Sequence, residues 1–265
     1  NHGGGSTSGV CFDETADYDG LTIHEINDAL YNFTEANPDF HLDLIGFDAC
    51  LMATYEAAAH MQYYADFMVA SEELEPSLGW NYAWLNALGE NPALDAQGIG
   101  VAIADAYMEA CLDENPDDYL SMSVLYLPAM DYLVSTMETY ASYLSQALDA
   151  GQLSTFSRAR QRMYAFGDFD SATSDMVDMM ALIDGTRTIA PQTADVLQTA
   201  YERVVRYNVG TRKFDYLTGM SVYFPSGSYE GDGCQETIPR MTEFTRGYAE
   251  IRSGGNYVFS AQAPQ

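Results

Sequence analysis

The chain has 265 residues, of which 47% are hydrophobic and 19% are charged, so it can bury a sizeable core and is not of disordered composition. Its net charge of −28 at pH 7 would repel nucleic acid and anionic membranes, and we expect neither as a partner. No apolar run reaches the ~20 residues that a transmembrane helix needs. All 11 basic residues lie between Arg158 and Arg252. This distribution favours an acidic surface that keeps a secreted protein soluble and can attract cationic peptides.

The predicted elements alternate between helices and strands. The segment 3–20 is rich in Gly, Ser, Thr and Asp and is predicted to be a flexible loop. Hydrophobic periodicity then predicts a helix over 22–36, a strand over 40–48, a helix over 51–64, a strand over 66–71, a helix over 95–112, a strand over 122–127, helices over 129–150, 154–166 and 193–207, and a strand over 219–225. Thr22 and Glu25 are placed to form a capping box at the first helix. The order predicts an α/β sheet with helices on both faces.

The cysteine pattern directs attention to Cys50. The chain has four cysteines, none in a CxxC pair, so zinc and thioredoxin-type sites have no support, while two disulfides stay open by count. Cys50 follows the carboxyl end of the strand over 40–48, where ligands of open α/β sheets gather. A helix starting there would lower the pKa of the thiol and supply free backbone N–H groups. The alternative is that Cys50 is an inert, buried cysteine, and the same interpretation applies to Cys111.

Four histidines could act as the proton partner of a thiolate. His24 lies in a predicted helix, His41 at a strand start and His60 late in a helix, where the elements carry the last two away from Cys50. His2 lies in a Gly-rich segment that leaves its ring free to approach a substrate. The opening Asn-His-Gly-Gly-Gly-Ser can also be a linker remnant.

Several segments together resemble the clostripain family of cysteine peptidases. The resemblance lies in residues 1–5, 44–53, 69–76 with Gly79-Trp80, and 219–225, in matching order and spacing, and it spans residues 1 to about 225. It implies a caspase-like αβα sandwich with a mostly parallel central sheet. It also implies a cysteine endopeptidase that cleaves peptide bonds after Arg, sometimes after Lys. We expect no cofactor other than the calcium considered below, on which some relatives depend.

The same resemblance assigns roles to individual residues. His2 would be the catalytic histidine, Cys50 the nucleophile, and the backbone N–H groups of Gly3 and Cys50 the oxyanion hole. Asp48 would receive the basic side chain, and because residues two apart in an extended segment point the same way, Asp48 and Cys50 should open onto one side; a helix cap is the alternative for Asp48. Trp80 and Asn81 would bind substrate, although relatives often have an acid where this chain has Asn81. Trp80 can equally belong to a packing cluster.

The acidic run Glu72, Glu73 and Glu75 has two interpretations. It can be a calcium site, because hard cations favour carboxylate oxygens, or it can be a solvated turn.

We expect a peptidase core over 1–230 that lacks the first strands of its sheet, and a C-terminal extension or tail over 231–265. An active assembly would then need the missing N-terminal segment of the same protein. No Lys or Arg lies between His2 and Cys50, so no self-cleavage is expected there.

The sequence therefore predicts a secreted or cell-surface peptidase of bacterial type, acting on peptides with basic residues. One alternative is a truncated or inactive relative that acts as an acidic binding module for cationic peptides. Another cysteine hydrolase on the same fold is the third.

Overall fold

The computed structural model describes residues 2–5, 9–167, 175–211 and 217–224. Its strands are β1 Val10–Asp13, β2 Asp19–Leu21, β3 Leu42–Gly46, β4 Ala65–Ala70, β5 Ser121–Tyr126, β6 Met176–Asp178, β7 Val205–Gly210 and β8 Ser221–Tyr223. Its α-helices are α1 Ile23–Ala36, α2 Tyr55–Met61, α3 Trp84–Glu90, α4 Ala96–Glu114, α5 Met130–Asp149, α6 Leu153–Arg160, α7 Met179–Thr186 and α8 Pro191–Val204, and a 3-10 turn spans Leu127–Ala129. The predicted extension over 231–265 lies outside the described residues.

The main sheet has the strand order β3-β4-β5-β7, and β1–β2 and β6–β8 form two separate antiparallel pairs. β3 and β4 are parallel, while β5 is antiparallel to both β4 and β7. The expected mostly parallel order is therefore wrong for the described strands. The connection from β4 to β5 contains two helices, α3 and α4, instead of one crossover helix. The chain thus enters β5 from the end of the sheet at which it leaves β4.

Helices cover both faces of this sheet, which confirms the predicted α/β class. Successive side chains of a strand point to opposite faces, so Met68 packs into one cluster while Phe67 and Val69 pack into the other. Helix α4 lies on the Val69 side, and α2 and α8 lie on the Met68 side. No helix within the described ranges is both long and apolar enough to cross a bilayer.

The predicted capping box at the first helix is confirmed. The Glu25 N–H donates to Thr22 Oγ1 at 3.2 Å, and the Thr22 N–H donates to Glu25 Oε2 at 2.9 Å. These two bonds satisfy N–H groups that have no partner inside a helix, so α1 begins at Ile23, as the local sequence predicts.

The second helix begins later than predicted, at Tyr55 with Thr54 as its N-cap instead of near Leu51. Leu51 has a φ of 63°, which is incompatible with an α-helix. The Ala53 N–H donates to the Ser71 carbonyl at 2.8 Å, and the Ala53 carbonyl accepts from the Ser221 N–H at 2.8 Å. Residues after Cys50 thus pair with distant segments, and the chain passes through a turn before α2.

Segments at both ends of the chain also depart from the predictions. The predicted loop over 3–20 contains the hairpin of β1 and β2, and Gly3 forms an antiparallel bridge with Val10. The predicted helix over 193–207 ends at Val204, where the chain turns into β7. The predicted helix over 154–166 ends at Arg160.

Candidate active site

Cys50 lies in the turn that follows β3, at the carboxyl end of the parallel pair β3–β4. Its side chain is half-buried, and the backbone of Glu75 surrounds the sulfur. The Glu75 N–H donates to Cys50 Sγ at 3.2 Å, and the Glu75 carbonyl lies 3.7 Å from the same sulfur. The neighbouring Leu51 N–H donates to the Glu73 carbonyl at 3.1 Å. The 69–76 segment therefore fixes the position of the thiol.

The electrostatic surroundings of Cys50 differ from those expected at a helix N-terminus. Burial raises the pKa of the thiol, the N–H groups of Glu75 and Gly3 oppose that shift, and the negative charge of Glu75 adds to it. The prediction of a pKa lowered by a helix end is wrong, because α2 starts at Tyr55. Cys11, Cys50 and Cys111 are free thiols, and Cys234 lies outside the described residues.

The segment that carries His2 reaches the same turn. Gly3 lies so close that a Cβ on it would be 2.2 Å from the Cys50 carbonyl oxygen and 3.1 Å from the Cys50 nitrogen. Only glycine allows this approach, since a side chain would overlap the backbone. The exposed His2 precedes it, and its carbonyl accepts from the Cys11 N–H at 2.9 Å. The β1–β2 hairpin thus holds the His2–Gly3 segment beside Cys50.

The other histidines have different surroundings. His24 lies 3.5 Å from Asp28 within α1, and His41 lies 3.1 Å from Asp66 at the start of β3. Burial lowers the pKa of His60, and nearby His24 contributes in the same direction.

The predicted substrate residues separate into two groups. Asp48 and Trp80 come together, because the Trp80 N–H donates to Asp48 Oδ1 at 3.1 Å. The Trp80 ring covers Gly46, where a Cβ would lie 2.7 Å from it. Asn81 is exposed, and its Oδ1 accepts from the Ala83 N–H at 2.9 Å, so its side chain stabilises its own turn.

Glu75 is the residue beside Cys50 that sequence reasoning named only as part of the acidic run, with no role in substrate binding. Both of its carboxylate oxygens are buried, and neither makes a hydrogen bond of standard geometry with the part of the chain that is described. Burial raises the pKa of Glu75 to about 8, and the charge of Asp48 adds to the shift, whereas the Trp80 indole opposes it. The only available signal was its place in the 69–76 segment, just before Pro76.

The solvated-turn interpretation of the acidic run is wrong, because Glu72 and Glu73 are fully buried. Glu72 Oε2 accepts from the Gly219 N–H at 2.8 Å. Glu73 accepts from the N–H groups of Leu74 and Gly167 and from the Tyr164 hydroxyl, at 2.8–3.0 Å. These carboxylates contact different segments, and no group of three His, Cys, Asp or Glu side chains in the described ranges is arranged to hold a metal ion.

A thiol at the end of a parallel strand, in a sheet with helices on both faces, is the arrangement of a caspase-like cysteine peptidase. The model of the clostripain family matches residues 1–237, and the chain therefore belongs to this family of cysteine peptidases. This match confirms the resemblance predicted from the sequence motifs. No curated protein sequence matches the chain significantly.

Solved structures support the same fold. An inactive zymogen C11 protease from Parabacteroides distasonis is 18% identical, with a TM-score of 0.63, and the match covers 95% of this chain and 68% of the other. A secreted C11 cysteine protease from Bacteroides thetaiotaomicron, in complex with an irreversible peptide inhibitor, is 19% identical, with a TM-score of 0.61 and coverage of 94% and 70%. A clostripain from B. thetaiotaomicron ATCC 29148, in complex with the peptide inhibitor BTN-VLTK-AOMK, is 14% identical, with a TM-score of 0.56 and coverage of 86% and 99%.

Proposed function

We propose that the chain is the catalytic core of an endopeptidase that cleaves peptide bonds after Arg, and less readily after Lys, through a dyad of Cys50 and His2. The observation that carries the proposal is the contact of the His2–Gly3 segment with the backbone of Cys50. This contact brings the backbone that carries His2 and Gly3 to the turn of the thiol, which supports the proposed dyad and the proposed oxyanion hole. Nucleophilic catalysis requires those groups together.

The reaction follows from the surroundings of the thiol. Because burial raises the pKa of Cys50, the resting thiol keeps its proton at neutral pH, and His2 removes it as the sulfur attacks the carbonyl carbon. The N–H groups of Gly3 and Cys50 stabilise the oxyanion of the tetrahedral intermediate. His2 then gives the proton to the leaving amine, which leaves an acyl-enzyme. Water, deprotonated by His2, hydrolyses the thioester and frees the thiol.

Specificity for a basic residue rests on Asp48, two residues before the nucleophile. A carboxylate pairs with a guanidinium through two charge-assisted hydrogen bonds, and with an ammonium as a point charge. The structurally similar clostripain holds an inhibitor whose peptide sequence, VLTK, ends in lysine. The net charge of −28 also favours the approach of cationic peptides over short distances.

Two further proposals concern the setting of the enzyme. One structurally similar protease is described as secreted, and the acidic composition of this chain fits a secreted or cell-surface protein. Among the described strands, β3 has β4 as its single partner, so an N-terminal segment of the same protein could complete the sheet at the outer edge of β3. Mass analysis of the natural protein tests this second proposal by showing whether such a segment is present.

The test of the main proposal is hydrolysis of an Arg-aminocoumarin peptide by the full-length natural protein, with Lys and Asp peptides as comparisons. We expect turnover in the order Arg, Lys, Asp, with the Asp peptide uncleaved. Cys50→Ala should lower kcat by at least about 10³-fold, because it removes the nucleophile. Cys111→Ala, in the buried face of α4, is the matched control and should keep the activity. Turnover that survives Cys50→Ala would refute the proposal.

The second candidate is an acidic binding module for cationic peptides, which the net charge favours. It predicts binding of basic peptides that persists in Cys50→Ala, without turnover by the full-length protein. Rapid labelling of Cys50 by an Arg-based acyloxymethyl ketone favours the peptidase instead.

A further inference from the structure

Glu75 borders both the candidate nucleophile and Asp48. Its backbone N–H and carbonyl are 3.2 Å and 3.7 Å from Cys50 Sγ, so the residue cannot move without displacing its contacts to the thiol. Its side chain enters the space beside Asp48 and Trp80, both of which influence its ionisation. One residue thus borders both the reacting sulfur and the region that the proposed function assigns to the basic side chain.

The Glu75 carboxylate is buried without the partners that buried carboxylates normally have. In the described ranges neither of its oxygens makes a hydrogen bond of standard geometry, and neither does the buried indole N–H of Trp80. Trp80 and Asp48 nevertheless lie close enough to Glu75 to influence its ionisation. Glu73, two residues earlier, accepts three hydrogen bonds. Most buried polar groups in folded proteins are hydrogen-bonded, and an isolated buried carboxylate is costly. The Glu75 carboxylate therefore lacks a well-aligned donor, and a ligand that carries N–H groups would supply one.

The chemistry of the pocket selects a cation. Asp48 contributes negative charge, and Glu75 adds to it once it is ionised, which disfavours an anionic group, while Trp80 supplies an aromatic wall. A guanidinium carries five N–H donors in a plane and can bond to two carboxylates at once. We propose that Glu75 is a specificity-determining residue, the second carboxylate that binds the guanidinium of the substrate arginine. It would supply the acid that is absent at Asn81, and this inference rests on the proposed function.

The pocket is expected to change its charge with pH. The groups that face Glu75 are Asp48 and Cys50 beyond β3, and Tyr107 and Cys111 on α4. With a pKa of about 8, Glu75 carries a proton at neutral pH in the empty pocket and is ionised above pH 8. A guanidinium stabilises the ionised form, so discrimination between a charged and a neutral side chain should rise as pH increases through about 8.

The experiment compares kcat/KM for an Arg peptide with kcat/KM for the same peptide carrying citrulline, an uncharged isostere of arginine. The ratio isolates charge recognition, because thiol and histidine ionisation affect both substrates alike. In the full-length protein, Glu75→Gln should lower the Arg-to-citrulline ratio about 10- to 100-fold, the range expected when a hydrogen bond to a charged group is lost. Glu90→Gln, at an exposed position of α3, is the matched control and should leave the ratio unchanged.

The outcomes separate this inference from the proposed function. If Asp48→Asn lowers the ratio and Glu75→Gln does not, Glu75 has no part in specificity, while the Arg-directed peptidase stands. If the wild-type protein cleaves both peptides equally well, the proposed Arg specificity fails as well. Should Glu75→Gln not fold, the pH profile of the wild-type ratio decides. A ratio that rises between pH 7 and 9 supports Glu75, and a flat ratio overturns its role.

Discussion

Glu73 and Glu75 stand two residues apart in the same acidic segment, yet their surroundings differ. Glu73 is fully buried and accepts three hydrogen bonds, from Leu74, Gly167 and Tyr164. Glu75 borders Cys50, and in the described part of the chain its oxygens make no hydrogen bond of standard geometry. The comparison indicates that a structural carboxylate is distinguished from one that can bind a ligand by the hydrogen-bond donors around it, more than by its burial or charge.

The two regions should therefore respond differently to substitution. In the pocket beside Cys50, changes are expected to alter catalysis or specificity while leaving the free energy of unfolding nearly unchanged. In the buried carboxylate network around Glu72 and Glu73, changes should act chiefly on the free energy of unfolding. Glu75→Gln, which removes no hydrogen bond of standard geometry among the described residues, belongs to the first class.

Gly3→Ala is expected to have the largest effect. The new Cβ would lie 2.2 Å from the Cys50 carbonyl oxygen, so the His2–Gly3 segment must move away from the thiol. Displacing the proposed oxyanion donor should lower kcat/KM for the Arg peptide about 10²–10³-fold. Gly89→Ala is the control, because its Cβ would meet no atom within 4 Å. A Gly3→Ala enzyme with wild-type kinetics would show that catalysis does not use this contact.

Glu73→Ala tests the buried network. The substitution leaves the N–H groups of Leu74 and Gly167 and the Tyr164 hydroxyl without their acceptor, which should lower the free energy of unfolding by about 2–3 kcal/mol. Urea unfolding of the variant, beside Glu90→Ala at an exposed position, measures the loss. A decrease of less than about 0.5 kcal/mol would mean that the network contributes little, and the comparison with Glu75 would lose its basis.

The same contrast explains what the sequence could predict. The capping box of Thr22 and Glu25 depends on residues three apart, so a local rule predicted it. Glu73 is bonded to Gly167, 94 residues further on, and Glu72 to Gly219, 147 residues further on. No local pattern shows where such donors will come from. The acidic run therefore resembled a solvated turn, and the role proposed for Glu75 required the fold.

The sequence predicted the position of Cys50 but not the start of α2, because a local pattern determines the first and long-range contacts determine the second. The alternating strand over 40–48 fixes where the chain reaches the edge of the sheet, whereas the next four residues are held by long-range bonds. Ala53 pairs with Ser71 and Ser221, which prevents the helical conformation that its sequence allows. Tertiary contacts overrode local propensity at this turn.

Glu72→Gln is expected to change how stability depends on pH. Burial raises the pKa of Glu72 well above its usual value, and the charge of Asp178 adds to this shift. Because the folded pKa is raised, its stabilising contribution is complete below the unfolded pKa of 4.5 and is lost as pH rises. The unfolding free energy of the wild type should therefore fall more steeply from pH 5 to pH 9 than that of Glu72→Gln.

Urea titrations at pH 5, 7 and 9 measure that difference. Glu35→Gln in α1, whose side chain is exposed, provides the control and should follow the wild-type curve. Parallel curves for the wild type and Glu72→Gln would show that Glu72 does not ionise differently in the folded and unfolded protein.

Asn81→Ala is expected to have the smallest effect, and it tests the residue that the sequence assigned to the substrate. Asn81 Oδ1 accepts from the Ala83 N–H at 2.9 Å within its own exposed turn, so the loss should change kcat/KM for the Arg peptide less than about threefold. Comparing kcat/KM of Asn81→Ala with that of Glu75→Gln tests which of the two positions binds the basic side chain of the substrate. A tenfold loss in Asn81→Ala, with no change in Glu75→Gln, would return that role to position 81.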